Sequence, residues 1–218
     1  MAWLAFDTST DIASFAIKVN NKVYTQELTG MTTHAEKCLP AIDALFNEAG
    51  IHLSDLSGVI LGQGPGSFTG LRVASSIAKG LAYPGKIPVY MLSDLRVIAW
   101  MASQIYPNTP ILSVIDARMQ QVYWAYYPEV FTEVKEHVSC LSEITLHQES
   151  SVILAGHQFQ NYRPILPSSI KVDAELELRP HACAMIQMVE TQKFPAVSAL
   201  AVEPVYIRDQ VTHGGKNG

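Results

Sequence analysis

The ten-residue segment Gly64–Val73, with the sequence GPGSFTGLRV, constrains the fold of this chain more than any other. It follows the apolar run Gly58–Leu61, which is typical of a short buried strand. A helical period follows it, with apolar residues at Leu71, Ala74, Ile77, Ala78 and Leu81. In α/β proteins, functional sites commonly lie where a strand, a glycine-rich turn and a helix follow one another in this order. The segment therefore predicts an α/β fold with a turn at the carboxyl end of a strand.

Four residues of this glycine-rich turn have predictable roles. Gly64 precedes a proline and is kept out of the α region, and Gly66 can adopt backbone angles closed to other residues. Ser67 is a favourable N-cap for the following helix, worth about 1 kcal/mol. Gly70 lies in the first helical turn, where it lowers helix propensity. Its presence predicts that the backbone of another segment approaches it closely.

The turn matches neither of the two best-known phosphate loops. A Walker A loop ends in Gly-Lys-Ser/Thr, whereas this turn ends in Gly70-Leu71-Arg72. The Rossmann fingerprint spaces its glycines differently. Two interpretations stay open: backbone amides at the helix N-terminus hold an anion, or a tight turn packs the helix onto a sheet. The second is favoured, because such turns are the commoner structure.

Composition excludes several classes of protein. Hydrophobic residues make up 48% and charged residues 16% of the 218, which predicts a large core and argues against disorder. The net charge of −5 and the scattered Lys and Arg predict no strong binding to nucleic acid by this chain alone. Three widely spaced cysteines, no signal-peptide pattern and no apolar run near ~20 residues predict a cytoplasmic protein without a membrane span.

Periodicity and breakers predict the order of the elements. Strands are expected at 3–7, 13–19, 23–28, 58–61 and 89–92, with helices at 34–49, from the turn to about 83, and at 94–105. The segment 106–110 is the clearest linker. We therefore predict two half-domains, residues 1–105 and 106–218, with a disordered tail at 209–218. The second half is predicted to contain strands at 122–127, 152–156 and 170–172 and a helix at 181–190.

A weak internal repeat links the two halves. Leu4–Ser9 and Leu112–Ala117 are both apolar strands that end in aspartate before a turn and a second strand. A duplicated α/β domain with two such hairpins is typical of the actin-like and sugar-kinase folds. Those proteins bind nucleotide phosphates in the cleft between their halves.

Five motifs in this order resemble the bacterial TsaB (YeaZ) family. They are Asp7–Thr10, His34 at the start of a helix, Gly64–Val73, Asp116–Arg118 with Val122 and Tyr123, and Pro204–Arg208. The resemblance is strong over residues 1–127 and returns at the tail. It implies an actin-like (ASKHA, ribonuclease H-like) duplicated fold, with a mixed sheet and flanking helices in each half.

The resemblance also implies a function. In that family the chain is the partner of TsaD, which transfers threonylcarbamoyl to adenosine 37 of tRNAs that read ANN codons, and TsaE is an ATPase that joins them. It implies a homodimer in isolation, tRNA binding mainly through TsaD, and ATP and Mg at the level of the complex. The predicted function is a non-catalytic partner subunit, a pseudo-enzyme. The alternative is an independent actin-like ATPase or small-molecule kinase.

The sequence departs from the catalytic relative at its metal site. That relative carries an HxxxH pair where this chain reads Met91–Trp100, without histidine, so no metal ligand and no catalytic residue is predicted. The first loop has no glycine and is predicted to be a vestigial phosphate loop. Its members are Asp7, Thr8, Ser9, Thr10 and, from the second hairpin, Asp116. The two aspartates could alternatively hold a hydrated Mg²⁺ or cap their turns.

Two helices are predicted to form the partner interface. Their apolar stripes are wider than one sheet contact needs, and they would pack with equivalent helices of TsaD. The candidates are Leu39, Ile42, Leu45, Phe46, Leu71, Ala74, Ile77 and Ala78. Arg72 is expected to pair with a carboxylate or to reach the partner. His34 is a candidate for acid–base chemistry or only the first residue of its helix.

Overall fold

The computed structural model describes residues 1–30, 34–146, 151–160 and 165–207, with His34 and Ala35 described through their backbone alone. The tail predicted at 209–218 and the side chain of His34 lie outside the described residues. Within them, no helix combines the length and hydropathy that a membrane span requires.

The first half of the chain forms most of a six-stranded sheet. Its elements are β1 (Ala2–Asp7), β2 (Ile12–Val19), β3 (Lys22–Thr29), α1 (His34–Ala49), β4 (Gly58–Gly64), α2 (Phe68–Gly85), β5 (Val89–Ser93) and α3 (Asp94–Ile105). Five of its strands lie in the order β5-β4-β1-β2-β3. The central β1 is parallel to β4 and antiparallel to β2.

The second half forms a five-stranded sheet of the same topology. Its elements are β6 (Ile111–Arg118), β7 (Gln121–Tyr127), β8 (His137–Ser139), β9 (Val152–His157), β10 (Val172–Glu177), α4 (Ala182–Thr191) and β11 (Ala196–Val197). Its order, β10-β9-β6-β7-β8, repeats that of the first sheet, and β11 completes the first sheet beside β5. The repeat confirms the predicted duplicated actin-like fold.

The edge strands are where the sequence-based assignment was wrong. The strand predicted at 170–172 is β10 at Val172–Glu177, and β8 and β11 were not predicted. Acidic side chains occupy alternate positions of β10, and these positions are exposed. Charges on the outer row are a common feature of edge strands, and they mask the strand pattern in the sequence.

The last helix of each half packs on the sheet of the other half. Helix α3 contacts β6, β7 and β9, and its Leu95 and Ile98 lie in the core beneath the second sheet. Helix α4 contacts β1, β2 and β4, and its Met185 is fully buried with residues of the first sheet. The two halves are thus joined by α3 and α4, each of which packs on the sheet of the other half. The boundary at residues 105 and 106 stays a prediction.

Strand direction brings the polar strand ends together. Because β1, β4 and β5 are parallel, their carboxyl ends meet at one edge of the first sheet. The parallel β6 and β9 likewise end at one edge of the second sheet, where Ile115 pairs with His157. These two edges face a common cleft.

Candidate site at the cleft between the two sheets

The cleft has a volume of about 380 Å³ and is walled by four connections. Its polar lining consists of Ser9, Thr10, Asp11, Ser67, Thr69, Asp116, Arg118, His157 and Gln158. Phe68 and Tyr123 supply aromatic surface, and the backbone of Gly66 and Ala117 completes the wall together with Ile115. The structure therefore brings the first loop, the glycine-rich turn and the second hairpin around one space.

The two predicted aspartates cap equivalent turns. Asp7 Oδ1 accepts hydrogen bonds from the Ser9 amide at 3.1 Å and the Ser9 hydroxyl at 2.8 Å. Asp116 Oδ1 accepts from the Arg118 amide at 2.8 Å, which is the same i to i+2 geometry. Asp7 is fully buried and does not line the cleft, whereas Asp116 does. A Mg²⁺ shared between them would need both carboxylates in the cleft wall.

The glycine-rich turn packs directly on the first loop. The Ser67 amide donates to the Ser9 carbonyl at 2.7 Å, and the Thr8 hydroxyl donates to the Gly70 carbonyl at 2.7 Å. A Cβ added at Gly70 would overlap the Thr8 carbonyl oxygen. The backbone approach predicted for Gly70 is therefore made by Thr8. The Ser67 N-cap is confirmed, since its hydroxyl accepts from the Gly70 amide at 3.3 Å.

A C-terminal strap, residues 203–207, holds this turn from its other side. The Val205 amide donates to the Gln63 carbonyl at 2.9 Å, next to Gly64, whose φ of +107° favours glycine. Arg72 places its guanidinium 3.8 Å from the centre of the Phe68 ring and donates from Nε to the Tyr206 hydroxyl at 3.2 Å. In the described residues Arg72 thus contacts aromatic groups instead of the carboxylate that was predicted. Its reach toward a partner stays a prediction.

A buried pair of carboxyl groups, Asp7 and Asp94, lies beneath the cleft. Both side chains are fully buried. Gly62 at the end of β4 makes room for them, because a Cβ there would overlap oxygens of both aspartates. Asp7 Oδ2 and both oxygens of Asp94 lack a donor at ordinary hydrogen-bond distance among the described residues. A carboxyl group that keeps its proton can donate to its neighbour, and the contact between Asp7 and Asp94 allows this for one of the three oxygens.

The surroundings of this pair favour protonation. Burial raises the pKa of Asp7 from its ordinary 3.8 to about 6, and the hydrogen bonds from Ser9 oppose this rise. Burial and then the nearby Asp7 raise the pKa of Asp94 well above its ordinary range. Glu136, which is hydrogen-bonded to the Ser93 hydroxyl, adds to the rise at Asp94. Both shifts have the same direction, so the buried pair holds a proton more tightly than two exposed carboxyl groups would.

Sequence reasoning missed three residues of this region: Asp11, Asp94 and His157. Asp94 was assigned only as the first residue of a helix. Its position directly after β5 was a usable signal, because β5 ends at the same edge as β1. His157 and Asp11 are 146 positions apart, and no local pattern relates them.

The predicted interface residues are mostly internal. Six of the eight are at most 8% exposed: Ile42, Leu45, Leu71, Ala74, Ile77 and Ala78. All of these but Leu71 belong to the core that α1 and α2 form on the first sheet. The prediction is wrong for these six, because the stripe covers the chain's own sheet. Leu39 is 52% exposed and Phe46 is half-buried, so both can still reach a partner.

Comparisons with known proteins agree with this architecture. Residues 20–174 match the family model described as TsaD: tRNA N6-adenosine threonylcarbamoyltransferase. The chain is 30% identical to a "tRNA threonylcarbamoyladenosine biosynthesis protein TsaB" from Haemophilus influenzae, over 96% of this chain and 94% of the relative. It is 29% identical to the protein of that name from Escherichia coli, over 97% and 96%. The solved structure of YeaZ from Pseudomonas aeruginosa superposes with a TM-score of 0.82 at 29% identity, covering 94% of this chain and 99% of YeaZ.

Gly70→Ala should destabilise the chain strongly. The new methyl group has no space against the Thr8 carbonyl, so the turn and the first loop must separate. We expect a loss of about 3 kcal/mol or more in unfolding free energy by urea denaturation. Gly80→Ala is the matched control on the same helix, where a Cβ meets open space, and it should stabilise by up to about 1 kcal/mol. Equal effects at the two glycines would contradict the packing role of Gly70.

Asp94→Asn should reduce the pH dependence of stability. The folded chain holds protons on the buried pair more tightly than the unfolded chain, so its unfolding free energy falls as pH rises from about 3.8 through about 6. Each extra proton contributes about 1.4 kcal/mol per pH unit. The asparagine side chain does not titrate, so the variant loses one proton from this difference between folded and unfolded chain, while its amide N–H can still donate to Asp7. The variant should therefore have a higher unfolding free energy than the wild type at pH 8. Glu48→Gln, at an exposed position, is the control. Parallel pH profiles for wild type and Asp94→Asn would refute a proton held by the buried pair.

Proposed function

This chain belongs to the TsaB (YeaZ) family, and from that membership we propose that it acts in tRNA threonylcarbamoyladenosine biosynthesis as a partner subunit of the transferase TsaD. The proposal includes TsaE as the ATPase of the assembly, with ATP and Mg used by the assembly and tRNA bound mainly through TsaD. This chain would supply a binding surface and no catalytic group. The observation that carries the proposal is its similarity to TsaB relatives over nearly the full length of both chains.

The contacts of the first loop support a non-catalytic role. The actin-like fold would use this loop and the glycine-rich turn to surround phosphate with backbone amides. Here the Ser9 amide is bound by Asp7 and the Ser67 amide by the Ser9 carbonyl. The two segments therefore satisfy each other, and a phosphate would have to displace these hydrogen bonds. Acidic residues Asp11 and Asp116 in the cleft wall add repulsion to a polyphosphate.

The outer faces of α1 and α2 are the proposed docking surface. The two helices pack beside each other on the first sheet, and their inward-facing apolar residues are buried in the core against that sheet. Their exposed positions combine apolar and small residues: Leu39, Pro40, Ala44, Ser76, Gly80 and Tyr83. Small residues let a second pair of helices approach closely. We propose that TsaD covers this surface in the complex and that a second copy of the chain covers it in the homodimer.

The rival function is an independent actin-like ATPase or small-molecule kinase. The cleft at the N-terminus of α2 is the observation that favours it, because helix N-termini attract anions. The rival requires nucleotide turnover by the isolated chain. It also requires that turnover depend on Asp116, the aspartate that lines the cleft.

Reconstitution of the modification with purified TsaD and TsaE tests the proposal. With ATP, Mg²⁺, threonine-derived donor and unmodified tRNA, we expect omission of this chain to reduce modified adenosine at least tenfold, measured by mass spectrometry of digested tRNA. Equal modification without the chain would contradict a required partner role. ATP turnover by the isolated chain that is lost in Asp116→Asn would establish the rival instead.

Gly80→Glu should prevent binding to TsaD without harming the fold. The side chain enters open space on α2, and replacing glycine in an exposed helix raises helix propensity by up to about 1 kcal/mol. A charge buried in a helix–helix interface is costly, so we expect at least tenfold weaker binding by calorimetry. Gly80→Ala is the matched control and should bind normally. Wild-type affinity in Gly80→Glu would place the interface elsewhere.

A further inference from the structure

We propose that Asp11, His157 and Glu177 form a clasp that closes the mouth of the cleft between the two sheets, and that breaking the clasp lets the cleft open. The inference does not depend on the role in tRNA modification. It concerns access to a cleft that any ligand or partner segment would have to enter.

The clasp is a histidine held between two carboxylates from different halves. His157 Nε2 lies 2.7 Å from Asp11 Oδ1, in the β1–β2 turn of the first half. His157 Nδ1 lies 2.8 Å from Glu177 Oε1, at the end of β10. Each ring nitrogen thus lies within hydrogen-bond distance of a carboxylate oxygen. Charge-assisted hydrogen bonds of this length are among the stronger polar contacts in proteins.

Gln158 reinforces the same two carboxylates. Its side-chain amide donates to Asp11 Oδ2 at 3.2 Å, and its backbone amide donates to Glu177 Oε1 at 3.0 Å. Gln158 adopts a φ of +55°, which costs a residue other than glycine about 1 kcal/mol. The surrounding contacts therefore hold a strained residue at the cleft mouth, which is typical of functional positions.

The location of the clasp suits it to control the cleft. His157 and Gln158 line the cleft together with Asp11, and the His157 side chain is only 14% exposed. Helices α3 and α4 join the halves through large apolar cores. The clasp, in contrast, joins them through a few polar contacts between turns and strand ends. Because polar contacts are weaker than these cores, the mouth opens before the helices separate.

A second polar tie along the same side keeps the halves aligned. Glu27 on β3 accepts from Arg179 Nη2 at 2.8 Å, and His181 lies 3.3 Å from the same carboxylate. None of these three residues lines the cleft. This tie stays in place when the clasp breaks, so the motion is a limited opening at the mouth.

Spin-label distances between the halves test the clasp. Nitroxides are placed at Asn21→Cys in the β2–β3 turn and Lys171→Cys beside β10, both exposed positions away from the proposed docking surface, in a chain whose three natural cysteines are replaced. Wild type should give one narrow distance distribution by pulsed electron resonance. In His157→Gln and in Asp11→Asn, the population at a second distance should rise about tenfold, as expected for the loss of charge-assisted hydrogen bonds.

The double variant separates a clasp from general destabilisation. Because Asp11 and His157 share one contact, the double variant should open less than the sum of the effects of the two single variants. His52→Gln, at an exposed position outside the cleft lining, is the control and should leave the distribution unchanged. Circular dichroism confirms folding of each chain, and Asp11→Asn retains the size of the original side chain. A wild-type distribution in both folded single variants, or additive opening in the double variant, would overturn the proposal.

Discussion

The close packing of the glycine-rich turn on the first loop is the constraint from which the rest of the cleft follows. Gly70 can accept the Thr8 carbonyl against its Cα only because it has no side chain. That contact seats the N-terminus of α2 beside the end of β1. It also directs the Ser67 amide to the Ser9 carbonyl, so that the two segments hydrogen-bond to each other. The C-terminal strap then fastens the outer side of the same turn.

Two groups of ionisable residues, one beneath the cleft and one at its mouth, differ in their access to solvent. Beneath its floor, Asp7 and Asp94 are removed from water and tolerate each other by holding a proton, which costs stability at neutral pH. At its mouth, His157 lies within hydrogen-bond distance of two partly exposed carboxylates. The first arrangement is closed to solvent, because both side chains are fully buried. The second is reversible because solvent can compete for every group in it.

The two duplicated halves of the fold cover their sheets in different ways. The first sheet is covered by α1 and α2, whereas the corresponding connections of the second sheet contain a short 3-10 helix at Leu141–Glu143 and no α-helix among the described residues. Short turns and the apolar side chains of Leu141, Phe159 and Ile170 cover that sheet instead. The first half therefore presents two helices side by side, α1 and α2, and this is the surface on which we propose that a partner docks.

Local sequence patterns determined the elements and the turns, because capping and backbone approach act over a few residues. Ser67 and the Asp7 and Asp116 turns could be assigned in this way, and Gly70 could be predicted to meet another backbone. The same patterns could not show which surface an apolar stripe covers, so buried Leu45 and Ala74 were assigned to a partner. The pair Asp11–His157 was beyond sequence reasoning altogether, and the pair Asp7–Asp94 was missed although Asp94 directly follows β5. They arise only when parallel strands bring their carboxyl ends to one edge and two sheets face each other, and strand order is a property of the whole chain.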